Sequence, residues 1–278
     1  MTTNSRQTGQ FVLPRPGRAL GGAMIALAAV WLMFAAAINW GGGSRRLFEA
    51  LCGNTQLILG GQVWRLVTAP LIHEPSGTIS HILTVELGLF FLAPSLEQSW
   101  GGRRLLRFLA LSAILAYGLQ ILVELLVPAS LSARLVPRYW YGAIPAVEAV
   151  VIAFALTFKN RTVLLFFVLP VSSRGLILLA VGISTLMLIA GAMGPSGFVA
   201  PFGGMLAGWL LGGGTPSPLR RWWLNLRLRQ LDRQVARSRG RSRSRAVASR
   251  FRVIQGGADR KRNNGAKGGR SGPGNLLH

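Results

Sequence analysis

The sequence predicts an all-α membrane protein with six transmembrane spans, and three observations lead there. Half of the 278 residues are hydrophobic and only 14% are charged. The apolar residues gather into runs, and the basic residues between the runs sort by side. A hydrocarbon layer of roughly 30 Å needs about 20 helical residues at about 1.5 Å each. Residues 18–40 supply such a run with no charge after Arg18. Further runs lie near 79–98, 105–127, 141–158, 163–193 and 197–213. The 163–193 run is too long for one simple span. Pro170, Ser172, Ser173 and Arg174 divide it, leaving an interfacial piece ahead of a fifth span that begins near Gly175.

Residues 1–18 read as a disordered lead and 19–214 as the membrane domain. Within that domain the 41–78 segment is half apolar, unlike a fully solvated loop. It is expected to lie at the interface as short helices with Trp64 at headgroup depth. Pro128 to Tyr141 forms a second loop on the same side, and only Ser99 to Arg103 joins the second and third spans. Pro145 suits the first turn of the fourth span, where its missing N–H costs nothing. After Gly212, Gly213 and Gly214, residues 215–240 read as a basic amphipathic helix and 241–278 as a disordered basic tail.

Seventeen of the 31 Lys and Arg fall after residue 215, against Asp232 and Asp259, so the tail carries about +15 of the net +23. That charge points to anionic lipid headgroups, with RNA ranked second. Among the spans, Arg6, Arg15, Arg18, Arg103, Arg104, Arg107, Lys159, Arg161 and Arg174 fall on one side. Arg45, Arg46, Arg65, Arg134 and Arg138 fall on the other. The positive-inside rule then puts both termini in the cytoplasm. An Arg-rich, Lys-poor chain of this size suggests a bacterial inner membrane. Cys52 is the only cysteine, which excludes an intrachain disulfide, and it reads as a packed apolar residue.

Four stretches carry a resemblance. Gln62 to Ala69 contains Trp64-Arg65; His81 to Gly101 contains Pro94, Leu96, Glu97 and Gly101. Tyr141-Gly142-Ala143-Ile144-Pro145-Ala146 opens the fourth span, and Ala200-Pro201-Phe202-Gly203-Gly204-Met205-Leu206-Ala207-Gly208 opens the sixth. Together they resemble the rhomboid family of intramembrane serine proteases over roughly residues 20–213. The resemblance implies a six-helix bundle in which Trp64, Arg65, His81, Glu97, Gly101, Gly204 and Gly208 are scaffold motifs. It also implies that the Gly204-x-x-x-Gly208 face, extended by Gly212, packs on the fourth span.

The same resemblance locates the residues a protease would need, and they are missing. Ile144 stands in the place of the family's nucleophilic serine, Pro201 in that of its histidine base, and Val85 in that of an oxyanion-binding asparagine. None of the three can lose or accept a proton, so the covalent route through an activated serine is closed. Gly194-Pro195-Ser196-Gly197 is a literal Gly-x-Ser-Gly, but a Pro-Ser-Gly turn explains it and no histidine follows before His278.

Glu86, Glu124 and Glu148 fall within runs, where an ionisable group marks function by default. Glu86 and Glu148 could share a wet cavity, with His81 nearby, as a solute or proton pathway; hydrogen bonding to neighbouring helices is the plainer account. His73 reads as an interfacial loop residue. No metal or cofactor is expected. Among inactive relatives of the resembled family, recognition, retention or quality control of transmembrane clients is the implied role. A divergent protease is the alternative.

Overall fold

The computed structural model describes residues 15–77, 79–159, 161–165, 169–212, 218, 221–232 and 234–235. Helix α1 covers Arg18–Asn39. Three short helices follow, α2 (Arg46–Leu51), α3 (Thr55–Leu59) and α4 (Arg65–Thr68), and then a 3₁₀ turn at Ala69–Leu71. These fill the 41–78 segment with the short helices its half-apolar composition predicts. Helix α5 (Ser80–Trp100) passes to α6 (Gly102–Leu126) through Gly101 alone. The reversal is that tight because Gly101 adopts φ +83°, a region that side chains disfavour.

Helix α7 (Ala129–Leu135) lies before α8 (Ile144–Thr157), whose second residue is Pro145. Next comes an antiparallel ribbon, β1 (Thr162–Leu165) with β2 (Leu169–Ser172). Helix α9 (Ser173–Ile189) starts where the Ser172 hydroxyl accepts the Gly175 N–H at 3.1 Å. Helix α10 (Val199–Ala207) continues as a π-helical turn, Gly208–Gly212. The interfacial piece expected before the fifth span is therefore a β-ribbon, a small departure from an all-α chain. Short apolar runs rich in Val and Leu suit strand and helix alike, and Pro170 sits in a strand where only one side needs a donor.

Helix α8 is the axis of the bundle. Nine of its residues, from Pro145 to Ala155, are buried, and α5, α6, α9 and α10 all pack on it. Around it, Val85, Leu89, Leu92 and Leu96 of α5 join Leu105 and Phe108 of α6 and Leu20 and Leu27 of α1 in the main core. Among the described residues, three helices are long and apolar enough to cross a membrane: α1, α6, and α9 extended to Ala190. Large apolar side chains stand exposed along them, Ile25, Leu115, Leu178 and Leu186 among them. In water such surface would be a liability; against lipid it is solvated. Helices also occupy the other three places where spans were expected. Of these, α8 has 14 residues and α10 nine before its π turn.

Contacts divide the chain into units 1–224 and 225–278. In the second unit residues 225–232 are helical, with Leu226, Leu228 and Leu231 exposed. This is part of the predicted 215–240 helix. Most of the 1–18 lead and all of the 241–278 tail lie outside the described residues.

Candidate functional site

The Trp64-Arg65 pair is a clamp on the end of another helix. A helix ends with carbonyls that have no partner of their own. At the end of α2, Arg65 Nη1 donates to the carbonyls of Glu49 (2.6 Å) and Cys52 (2.7 Å). Trp64 Nε1 reaches Ala50 O at 3.4 Å, and the Thr68 hydroxyl donates to Leu51 O at 2.8 Å. Arg65 Nε donates to the Gln62 side chain at 2.7 Å. The guanidinium is thus buried among carbonyl oxygens that complement its charge and the negative end of the helix dipole. Trp64 itself is half exposed. Cys52 is buried, and burial pushes its thiol up to about 12, so it is inert as a nucleophile.

Behind this loop the structure gathers His73, Glu74, His81 and Tyr141. His73 precedes α5, and His81 is in its first turn; their rings lie 5.0 Å apart. Gly142 has φ +101°, and a Cβ there would fall 2.4 Å from the His81 ring, so the imidazole rests where only glycine leaves space. The Ala143 N–H points at His73 Nε2 at 3.4 Å, and the Tyr117 hydroxyl donates to Gly142 O at 2.7 Å. Tyr141 donates its hydroxyl to the Glu74 carboxylate, which also pairs with Arg45 at 3.0 Å.

Burial first, and then the neighbouring His81, holds His73 down at about 3, so it is neutral. Burial and the Glu74 carboxylate raise the Tyr141 hydroxyl. His73 lies in the connection ahead of α5, as the sequence reading has it, and there it is packed inside the protein, 1% exposed.

Val85, Ile144 and Pro201, singled out by the resemblance in sequence, fall on three different helices. Val85 is fully buried, Ile144 opens α8, and Pro201 lies in the first turn of α10. Beside Pro201, the Ala200 N–H donates to Gln120 of α6 at 3.1 Å. Ser196 is buried in the turn leading to α10, where Gly197 has φ +77° and donates to Gly194 O at 3.0 Å.

Glycines set the packing beneath. A Cβ on Gly204 would lie 2.0 Å from Pro145 O, one on Gly208 2.5 Å from Ala149 O, and one on Gly212 2.4 Å from Ala153 Cβ. The glycine face of α10 therefore lies directly on the α8 backbone. At the opposite end, Glu97 accepts the N–H groups of Gly17 (2.7 Å), Ala19 (3.1 Å) and Leu20 (3.2 Å). A side chain of α5 thereby caps α1, which has no capping side chain of its own. Near the loop, Glu124 accepts the Thr55 hydroxyl at 2.5 Å.

Two apolar clefts open on the sides of the bundle. One, of about 360 Å³, lies between α1, α4, α6 and α8. The other, of about 400 Å³, lies over α8 between α5 and α9 and includes Leu83, Thr84, Gly88, Val147, Glu148 and Leu179. Glu148 Oε2 is buried there with no partner among the described residues. Glu86 does not line this cleft. The α5 residues that do (80, 83, 84, 87, 88, 91 and 92) form one helical stripe, and Glu86 falls outside it. Of the two carboxyls, only Glu148 lines this cleft. No three His, Cys, Asp or Glu side chains among the described residues are placed to hold a metal.

Among the described residues, helices long and apolar enough to cross a membrane, a carbonyl-clamped loop and a glycine-packed helical core fit an integral membrane protein. Within that class, the chain belongs to the family described as eukaryotic integral membrane protein (DUF1751), whose model matches residues 23–211. No curated protein matches the chain. The family overturns the expectation of a bacterial inner membrane. A preference for Arg over Lys changes neither charge nor span length, so it says nothing physical about which membrane holds the protein.

Proposed function

We propose that this chain is a rhomboid-like, six-span membrane protein that binds transmembrane segments of other proteins without cutting them. The observation that carries this reading is the cleft between α5 and α9, about 400 Å³, apolar except near Ser80, Thr84 and Glu148 and open at the side of the bundle. Transmembrane helices associate by packing and by interhelical hydrogen bonds, and a side-opening apolar groove offers a surface for the first. Val85, Ile144 and Pro201 support the non-cutting half, since a bound segment would meet no nucleophile or base at those positions. The basic sequence after residue 215 supports a second contact, with anionic headgroups.

The test uses the full chain in liposomes with a synthetic transmembrane peptide. A photo-crosslinking side chain is placed at Leu179, inside the cleft, or at Leu178, on the lipid-facing side of α9. Crosslinking to intact peptide from Leu179 and not from Leu178 is the expected result. Equal labelling from both positions, or cleaved peptide in the mass spectrum, would overturn it.

A further inference from the structure

Glu148 gives the cleft a chemical preference. It lies one turn into α8, beyond Ile144, on the wall facing α5 and α9. Its Oε2 is buried and accepts no hydrogen bond from any described residue. The residues lining the cleft include no Lys, Arg or His to offset it. The nearby Thr84 hydroxyl is already committed to Ser80 O of its own helix, at 2.8 Å. A carboxyl group facing hydrocarbon without a partner is costly, and such groups are retained where something pairs with them.

The occupant is narrowed by what could satisfy that oxygen. A lipid acyl chain fits an apolar groove, but methylenes donate no hydrogen bond and would leave the Glu148 carboxyl unpaired. A second copy of this chain fails for a different reason. In helices α1, α5, α6, α8, α9 and α10 the Lys and Arg residues are Arg18, Arg103, Arg104, Arg107 and Arg174, all within the first two turns. Those helices of a second copy carry no lysine or arginine in their middle to set against Glu148. A foreign helix carrying a lysine or arginine inside its span can supply one, and the groove is long enough to take one face of about three of its turns. From Ser80 to Leu92 along α5 it runs about 18 Å, at about 1.5 Å per residue.

We propose that the α5–α8–α9 cleft selects transmembrane segments bearing a basic residue within the membrane, paired with Glu148. This rests on the client-binding reading above and adds the chemistry of the client.

The experiment uses the Leu179 photo-crosslinker in the full chain with an all-leucine transmembrane peptide and a series carrying one lysine at successive depths. The expected result is a peak at one depth, with the matched lysine peptide binding about tenfold tighter than the all-leucine peptide. Glu148→Gln narrows that preference, and Glu148→Leu removes it while leaving all-leucine binding in place. Equal capture of every peptide, or a preference that survives Glu148→Leu, overturns the inference and leaves client binding standing. Capture of no peptide, or of lipid alone, overturns both. Should Glu148→Leu fail to fold, the lysine scan on the unaltered chain decides, because a flat depth profile is incompatible with pairing at Glu148.

Discussion

Replacing Gly204 with alanine adds one methyl group where α10 crosses α8. Its Cβ would lie 2.0 Å from the carbonyl oxygen of Pro145, about 1.4 Å short of ordinary van der Waals contact. The obstacle is backbone, so no rotamer change relieves it and the helices must separate. Overpacking of this kind costs about 1–3 kcal/mol, against the roughly 0.5–1 kcal/mol that alanine gains over glycine inside a helix. Gly118 of α6 supplies the control, because a Cβ there meets nothing within 4 Å. Gly118→Ala should therefore stabilise by about 0.5–1 kcal/mol. Gly204→Ala should destabilise by about 1–2 kcal/mol, out of a total near 5–15 kcal/mol. Denaturant titration of the purified full chain in mixed micelles, followed by tryptophan fluorescence, measures both. Shifts of the same sign and size in the two variants would refute the claim that the α10 glycine face sets the distance to α8.

Arg65→Lys keeps the charge but replaces a planar fork with a single ammonium, which cannot serve Glu49 O, Cys52 O and Gln62 together. Hydrogen exchange should rise selectively across 46–68, with a loss of about 2–3 kcal/mol. Glu97→Ala strips three N–H acceptors from the start of α1 and should cost about 1–2 kcal/mol, read as faster exchange at residues 17–20, whereas Glu97→Gln should retain most of the cap. His73 has its folded pKa near 3 and an unfolded value near 6.5. The unfolded chain therefore binds the extra proton between those values. Stability is complete above pH 6.5 and falls as pH drops toward 3, by at most about 1.4 kcal/mol per unit, and His73→Gln should flatten that slope in a pH series of the same titration.

The helices were legible because lipid forbids unpaired backbone, so long apolar runs have few alternatives. Gly101 and Pro145 were legible for a similar reason, since each answers a backbone requirement at a place the runs already marked. The ribbon at 162–172 was not, because Val-rich apolar runs suit strand and helix alike. Trp64 and Arg65 stood out as a motif, but their acceptors are main-chain carbonyls, which every residue has and no pattern reveals. The packing of His73 was not legible, because polarity alone does not show which way a connecting segment folds. Nor was it legible that Glu148 and not Glu86 lines the α5–α9 cleft, since residue type does not say which face of its helix a carboxyl occupies. The one clue to the role of Glu97 was indirect, in that α1 begins without Ser, Thr, Asp or Asn at its cap.

The Glu97 cap also orders events in time. Helix α1 receives its cap from a residue about 80 positions later. At about 5–20 residues per second of synthesis, α1 spends roughly 4–16 s with its leading N–H groups unclaimed. The bonds from Trp31 and Asn39 to Glu74 O and Pro75 O can form earlier, at the other end of the helix, so its two ends are fixed at different times. The carboxylate acts as a latch that closes only when a distant part of the chain has been made, so the position of the first helix reports whether assembly has passed that point.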